Sequence, residues 1–295
     1  MFDLVLQAPD FDANALQAVR ELVRPESEKA DATCVRLFNV THDDDVRRQV
    51  CELARRVVMN AAFVPADLKL TDFGALFFDM DSTLVNSETL DEMAEIAGVG
   101  EQCAAITAGA MSGRITNYAD SLRERVKLLE GHDAASIETV WNNMRLNEGA
   151  ERLIKTALDA GLKAYIVSSG FTVLTERVKE KLGMTGTCAN NIDVSDGRFT
   201  GRVCGPAFAP FNGTILDADG KAAFVCQTMS DLGLTPAQSI CFGDGSNDVK
   251  MLRQAGIGVG FHPKDILRPE CTLAVDTLGL DCVLNLFSDT CPLCR

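Results

Sequence analysis

Along most of this chain, hydrophobic positions alternate between short apolar runs and stretches with helical spacing. The runs at 76–78, 163–167 and 239–242 are short and end in polar residues, so they predict buried strands. The stretch 149–160 instead repeats apolar residues every three or four positions, which predicts a helix. Strands that alternate with helices form parallel sheets with helices on both faces. We therefore predict an α/β fold, a doubly wound, Rossmann-like parallel sheet.

A second, smaller pattern occupies residues 1–71. Residues 3–7 and 34–40 have strand-like patterns, whereas 14–23 and 46–59 have helical spacing. This β-α-β-α order predicts a small α+β domain of the ferredoxin-like or ACT-like type. Two roles are compatible with such a domain: packing or dimerisation, and regulation through a bound amino-acid effector.

The all-helical insert at 99–146 interrupts the α/β pattern. It contains three stretches with helical spacing and none with the pattern of a strand. Helical inserts of this kind cover the strand ends of an α/β sheet, so we predict a cap. The catalytic core then comprises 72–98 and 147–295.

Composition excludes several classes of partner. The formal charge is 28 − 42 = −14, which argues against binding nucleic acid or an anionic membrane. No apolar segment has the length of a membrane span. The eleven cysteines are scattered and the first residues do not resemble a signal peptide, so a cytoplasmic location is expected. Cys291 and Cys294 are predicted to be free thiols in a frayed tail, because no second Cys/His pair completes a zinc site.

Polar side chains follow three of the predicted strands. Asp79 and Asp81 follow the first, Ser168 and Ser169 the second, and Asp244 the third, within Gly-Asp-Gly-Ser-Asn-Asp. Each cluster alone is commonly a turn or a helix cap. Together they lie at the carboxyl edge of the predicted sheet, where α/β proteins bind ligands.

These residue types suit a metal ion and a phosphate. Carboxylates of Asp79 and Asp244 with the backbone carbonyl of Asp81 are oxygen ligands that suit Mg²⁺. Ser168 and the N–H groups before the next helix would bind an anion. Lys221, at the start of the helix before the third strand, is the candidate for a further positive charge; the alternative is a solvated surface lysine.

The same motifs resemble those of the haloacid dehalogenase-like (HAD) phosphohydrolases. The motifs are Asp79-Met80-Asp81-Ser82-Thr83, Ser168 after a strand, Lys221, and 243–248, in the family's order from about 73 to 287. Within that family the chain most resembles the phosphoserine phosphatases. Glu88 and the cap sequence Ser121-Leu122-Arg123-Glu124-Arg125-Val126 carry this closer likeness.

The resemblance implies Mg²⁺-dependent hydrolysis of a small phosphomonoester. Asp79 would attack phosphorus and form an aspartyl-phosphate, while Asp81 would protonate the leaving group and then activate water. Lys221 and Ser168 would bind the phosphate. Asn247 would join them at the substrate or, with the last aspartate of the motif, orient the metal site.

The resemblance also implies how the substrate is recognised. Glu88 and Arg125 would bind the ammonium and the carboxylate of phosphoserine, which would place the enzyme in serine biosynthesis. The alternative is that Arg125 extends from the cap surface into solvent and that Glu88 lies in the first turn of a helix, where acidic residues are favoured anyway. Ser169 replaces a glycine common in the family, and its side chain either narrows the approach to phosphate or adds a hydroxyl contact. Tyr118 replaces the usual phenylalanine and adds a phenol to the pocket wall.

Two other functions and one oligomeric state are also compatible with the sequence. The substrate could be another small phosphomonoester, such as a sugar, choline or pyridoxal phosphate. The chain could instead be a regulatory binding protein with a degenerate HAD domain, which the intact motif residues argue against. A homodimer is compatible with the N-terminal domain.

Overall fold

The computed structural model describes residues 1–111 and 117–294, so the predicted cap positions 112–116 lie outside the described residues. Its strands form two sheets. The strands are β1 (Phe2–Gln7), β2 (Ser27–Ala30), β3 (Cys34–Phe38), β4 (Asn60–Pro65), β5 (Ala75–Phe78), β6 (Lys163–Phe171), β7 (Gly186–Ser195), β8 (Arg198–Cys204), β9 (Ser239–Gly243), β10 (Ile257–Phe261) and β11 (Leu273–Val275).

Helices cover both sheets. They are α1 (Ala13–Val23), α2 (Asp44–Arg56), α3 (Thr89–Ile96), α4 (Gly100–Met111), α5 (Tyr118–Leu128), α6 (Ser136–Asn143), α7 (Ala150–Asp159), α8 (Thr172–Leu182), α9 (Ala218–Asp231) and α10 (Val249–Gln254). Within the described ranges, no helix is both long and apolar enough to cross a bilayer.

The N-terminal sheet has the strand order β2-β3-β1-β4 and is antiparallel throughout. This β-α-β-β-α-β arrangement is the ferredoxin-like one, so the predicted α+β type is confirmed. The simple β-α-β-α order was wrong because it omitted β2 and β4. All four residues of β2 are exposed, so it has no hydrophobic pattern, and β4 begins four residues after α2 ends at Arg56.

One face of the N-terminal sheet packs on the rest of the molecule. Along β1, Leu4 and Leu6 face the domain's own helices, while Val5 belongs to the main core. Polar residues complete this contact: Gln7 Nε2 donates to the carbonyl of Cys282 at 2.7 Å. The division at 71/72 and the other predicted domain boundaries stay predictions.

The second sheet has the order β11-β10-β9-β5-β6-β7-β8. Its pairs are parallel except β7 and β8, which form an antiparallel hairpin, as the turn sequence Asp196-Gly197 between them predicts. The doubly wound α/β fold is therefore confirmed. Because β5 is central, with β9 and β6 beside it, the three polar strand ends meet at one edge.

Details of the core differ from the prediction. The strand predicted at 163–167 continues to Phe171, with a register irregularity between Ser168 and Phe171. The sequence pattern at 279–287 predicts a helix, and the structure has a 3₁₀ helix at Leu280–Leu286. The apolar spacing at 87–97 predicts a helix over those residues, but α3 begins at Thr89, because the contact between Ser82 and Glu88 first closes a loop after β5.

Candidate active site

The carboxyl end of β5 turns sharply and carries the first two candidate residues. The strand ends at Phe78, and the N–H groups of Thr83, Leu84 and Val85 all donate to the carbonyl of Met80. Along an extended strand, residues two apart point to the same side of the sheet. Asp81 does not follow this rule, because the chain has left the strand before it. The turn nevertheless places both Asp79 and Asp81 in one cavity.

Asp79 is buried and surrounded by donors. Its Oδ1 accepts from the N–H of Met80 at 2.7 Å, and its Oδ2 accepts from Asn247 Nδ2 at 3.1 Å. Lys221 Nζ lies 2.8 Å from the same Oδ2. These contacts fix the direction of the carboxylate.

Asp81 has a different environment. Its Oδ2 accepts from Thr89 Oγ1 at 2.9 Å, while its buried Oδ1 has no partner among the described residues. Burial, and then the charges of Asp79 and Glu88, raise the pKa of Asp81 well above its usual value. Asp81 is thereby suited to hold a proton and to donate it.

Ser168 lies where β6 becomes irregular. It is buried, and its Oγ accepts from the N–H of Gly170 at 3.0 Å. Helix α8 begins at Thr172, so the N–H groups beyond Ser168 lead into a helix N-terminus, which favours anions. Ser169 lies beside it with a buried Oγ that lacks a partner in the described part of the chain. An anionic ligand would satisfy such a group.

Lys221 is completely buried, which contradicts the alternative of a surface lysine. Helix α9 positions it, and Asp217 caps that helix by accepting from the N–H of Gly220 at 2.9 Å. Besides Asp79, Lys221 Nζ contacts Asp248 Oδ1 at 2.8 Å. Burial opposes the charge of Lys221, but Asp248 and Asp79 outweigh it and raise its pKa.

Asp248 also supports the turn after β9. Its Oδ2 accepts from the N–H groups of Asp244 and Gly245 at 3.1 and 3.2 Å. This contact requires a glycine at 243, because a Cβ there would lie 2.3 Å from Asp248 Cγ. The turn presents Asp244 to the cavity, where Lys264 Nζ lies 2.7 Å from its Oδ2.

The opposite side of the cavity is formed by the cap and α3. Arg125 on α5 lines it, and its buried Nε has no hydrogen-bond partner within the described ranges. Glu88 lines it too, and its Oε1 accepts from Ser82 Oγ at 2.7 Å. Tyr118 donates from its hydroxyl to the carbonyl of Ser169 at 3.5 Å. Burial raises the pKa of Tyr118, so its hydroxyl stays a donor.

Together these residues surround a cavity of about 410 Å³, enough for a small phosphorylated metabolite. All the candidate site residues line this cavity except Lys221. Lys221 lies behind the cavity wall and pairs with Asp79, which lines it. Carboxylate oxygens of Asp79, Asp244 and Asp248 lie within 4.8 Å of one another. A cluster of hard oxygen donors at this spacing fits Mg²⁺.

Sequence reasoning missed two charged residues of this cavity, Asp91 and Lys264. Lys264 comes three positions after β10, whose end lies at the same edge as those of β5 and β9. Lys264 could therefore have been found from the sequence. Ligands bind at the carboxyl ends of parallel strands, and this rule applies to β10 as it does to β5, β6 and β9. Cys291 is fully buried, so the expectation of a frayed tail was wrong at that residue, although it is a free thiol.

Comparison with known proteins adds independent findings. Residues 76–253 match the family model described as haloacid dehalogenase-like hydrolase. The chain is 42% identical over 239 residues to a phosphoserine phosphatase of Polaromonas sp., covering 81% of this chain and 99% of that one. A structure titled as a phospho-aspartyl intermediate analogue of phosphoserine phosphatase is 33% identical with a TM-score of 0.65, covering 73% and 99%.

The fold of the whole chain, N-terminal domain included, also recurs. A HAD family hydrolase from Salmonella enterica serovar Typhi superimposes with a TM-score of 0.85 over 98% of this chain and 99% of that one. Its sequence identity is 24%, so this likeness concerns the fold alone.

Proposed function

Because this chain belongs to the haloacid dehalogenase-like hydrolases and is a phosphoric monoester hydrolase, we propose that it hydrolyses O-phosphoserine to serine and phosphate. One observation carries the proposal. Opposite the two aspartates at the end of β5, the cavity is lined by two acidic residues, Glu88 and Asp91, and by one basic residue, Arg125. Phosphoserine carries an ammonium and a carboxylate beside its phosphate. The relative named phosphoserine phosphatase supports the same substrate.

Asp79 is the proposed nucleophile. Its two oxygens are held by the N–H of Met80, by Asn247 and by Lys221, so the carboxylate is fixed before the substrate arrives. Attack on phosphorus would form a bond from an Asp79 oxygen and release the serine oxygen, giving an aspartyl-phosphate. Ser168, Ser169 and Lys221 would hold the phosphate oxygens.

Asp81 is the proposed acid and base. Its raised pKa keeps a proton available, which it would give to the serine oxygen as that oxygen leaves. The resulting carboxylate would then take a proton from the water that attacks the aspartyl-phosphate. Thr89 holds the carboxyl group in place during both steps.

The acidic cluster is the proposed site of Mg²⁺. Asp79 and Asp244 would hold the ion with the backbone carbonyl of Asp81, and when bound the ion would neutralise charge on the phosphate. Asp248 is close enough to join them, but both its oxygens are engaged, by Lys221 and by backbone N–H groups. We therefore assign Asp248 to positioning Asp244.

Phosphate release from a panel of phosphomonoesters tests the substrate. O-phosphoserine is expected to be preferred over phosphoethanolamine, which lacks the carboxylate, and over 3-phosphooxypropionate, which lacks the ammonium. EDTA is expected to abolish release and Mg²⁺ to restore it. Equal rates for all three would instead favour the alternative of another small phosphomonoester, to be sought among choline, sugar and pyridoxal phosphates.

The nucleophile is tested by trapping. Acid quenching during turnover is expected to leave phosphate bound to the peptide that contains Asp79, detectable by mass spectrometry. Asp79→Asn should give no trapped phosphate and no turnover while binding phosphate in a folded protein. Labelling of another residue would contradict the assignment.

Broader predictions follow from the same proposal. The reaction would complete serine biosynthesis in the cytoplasm. Binding of an amino-acid effector to the N-terminal domain and formation of a homodimer also stay predictions. Calorimetry with serine and sedimentation equilibrium would test them.

A further inference from the structure

Lys264 is placed differently from the other lysine of the site. Its Nζ lies 2.7 Å from Asp244 Oδ2, and its backbone N–H donates to the carbonyl of Asp244 at 2.8 Å. The backbone contact fixes the loop, whereas 55% of the side chain is exposed. Lys221, by comparison, is enclosed between Asp79 and Asp248 with no exposed side-chain surface. The Lys264 ammonium is therefore the one of the two that has room to move.

The charges around Asp244 explain why a cation sits there. Carboxylates of Asp79, Asp244 and Asp248 lie within 4.8 Å of one another, and Lys221 contacts the first and the third. In the described part of the chain, Lys264 is the side chain that ion-pairs with the remaining carboxylate, Asp244. Without it, Asp244 would face two other carboxylates with no positive charge of its own.

We propose that Lys264 is a resident counter-cation of Asp244, which a divalent metal displaces when it binds to that carboxylate. The inference rests on the proposed function, because the metal at Asp244 belongs to it. Lys264 is then a positioning residue: it holds Asp244 in place in the metal-free enzyme and lowers the affinity for the metal, since two cations compete for one carboxylate.

Direct titration of the metal-free enzyme with Mn²⁺, with free Mn²⁺ followed by electron paramagnetic resonance, tests this. Lys264→Met is expected to bind Mn²⁺ about tenfold more tightly than the wild type, because a repelling charge has been removed. Lys264→Arg retains the charge and should restore weaker binding.

Lys250→Met is the matched control. Lys250 is similarly exposed (49%) and pairs with a carboxylate, that of Asp219, at 2.5 Å, but it does not line the cavity. The Lys250→Met variant should bind Mn²⁺ with the same affinity as the wild type.

Thermal unfolding supplies a second readout. In EDTA, Lys264→Met should unfold at a lower temperature than Lys250→Met, because Asp244 has lost its counter-charge. Saturating Mg²⁺ should close that gap. Unchanged or weaker Mn²⁺ binding by Lys264→Met would overturn the inference and leave the proposed function standing. Absence of Mn²⁺ binding by the wild type would overturn both the inference and the metal dependence.

Discussion

At the scale of single residues, the site separates the tasks of two neighbouring carboxyl groups by their surroundings. Asp79 accepts from three donors, whereas Asp81 has one oxygen bonded to Thr89 and one buried without a partner among the described residues. The donors fix the orientation of the first carboxylate, whereas burial beside like charges raises the pKa of the second. The sequence motif contains both groups, but only the structure shows that the pKa of Asp81 is raised.

Asp81→Asn is expected to slow hydrolysis of O-phosphoserine by about 10²–10⁴-fold, the usual contribution of a general acid or base. In the wild type, kcat/KM should fall as pH rises through the pKa of Asp81, because the acid is lost. That pKa is raised, so the fall should begin at a higher pH than an ordinary aspartate would give. The variant should lack this limb.

An activated substrate separates the two roles of Asp81. A nitrophenyl phosphate has a leaving group that needs no proton, so formation of the aspartyl-phosphate should be less impaired in Asp81→Asn than its hydrolysis. A burst of nitrophenol in stopped-flow measurements would show this. Equal loss in both steps would contradict a distinct acid role.

Substrate analogues that lack one charged group are expected to distinguish the contribution of Arg125 from that of Glu88. Arg125→Ala should reduce kcat/KM for O-phosphoserine by about 10–100-fold and leave phosphoethanolamine little changed, because only the former offers a carboxylate. Glu88→Gln should reduce kcat/KM for O-phosphoserine and leave 3-phosphooxypropionate little changed, because only the former offers an ammonium. Arg123→Ala is the control, since Arg123 lies on the same helix, is half exposed and pairs with Asp120 instead. Uniform losses across analogues would argue for structural roles.

At the scale of elements, the turn between β9 and α10 joins the parts of the site. Asp248 binds the N–H groups of this turn with one oxygen and Lys221 with the other. Lys221 in turn reaches Asp79 at the end of β5. One buried ion-pair network thus connects α9, β5 and α10. Breaking one member of such a network leaves a buried charge uncompensated.

Gly243→Ala is therefore expected to disturb the active site as well as the fold. The new Cβ would lie 2.3 Å from Asp248 Cγ, so the carboxylate must move away from Lys221 and the turn. We expect a loss of about 1–3 kcal/mol in stability and a marked fall in kcat. Gly186→Ala is a milder control, because its nearest atom would be a Tyr165 ring carbon at 3.3 Å. Denaturant unfolding and phosphate release measure both effects.

At the scale of the molecule, a buried ion pair fixes the N-terminal domain to the core. Arg36 on β3 is fully buried, and its Nε lies 2.9 Å from Asp3 Oδ2. Its Nη1 donates across the contact to the carbonyls of Asn285 and Leu286 at 3.1 and 3.3 Å. A second polar contact joins the same two parts, where Asn60 Nδ2 donates to the carbonyl of Thr277 at 2.8 Å.

Arg36→Met should lower the stability by about 3–5 kcal/mol, because Asp3 is left buried without its partner. The double variant Asp3→Leu/Arg36→Met should recover part of that loss, since no charge then remains uncompensated. Urea unfolding checks both values. A surface pair gives the control: Arg48→Met removes an exposed contact with Asp45 and should cost less than about 1 kcal/mol.

The sequence by itself determined the α/β class, the helical cap and the three strand ends that carry Asp79, Ser168 and Asp244. These follow from local properties: periodic burial gives the type of each element, and parallel strands bring their carboxyl ends together. The resemblance to HAD phosphohydrolases added roles to those positions. Elements without a local hydrophobic pattern, such as β2, could not be found in this way.

Only the tertiary structure decided which side chains share a partner. Asn247 binds Asp79 across 168 positions of sequence, and Lys264 pairs with Asp244 from the end of another strand. The tertiary structure also decides the pKa of Asp81, which burial and neighbouring charges raise. Such contacts depend on the order of strands in the sheet and on exclusion of water. Neither property is recorded in the spacing of residues along the chain.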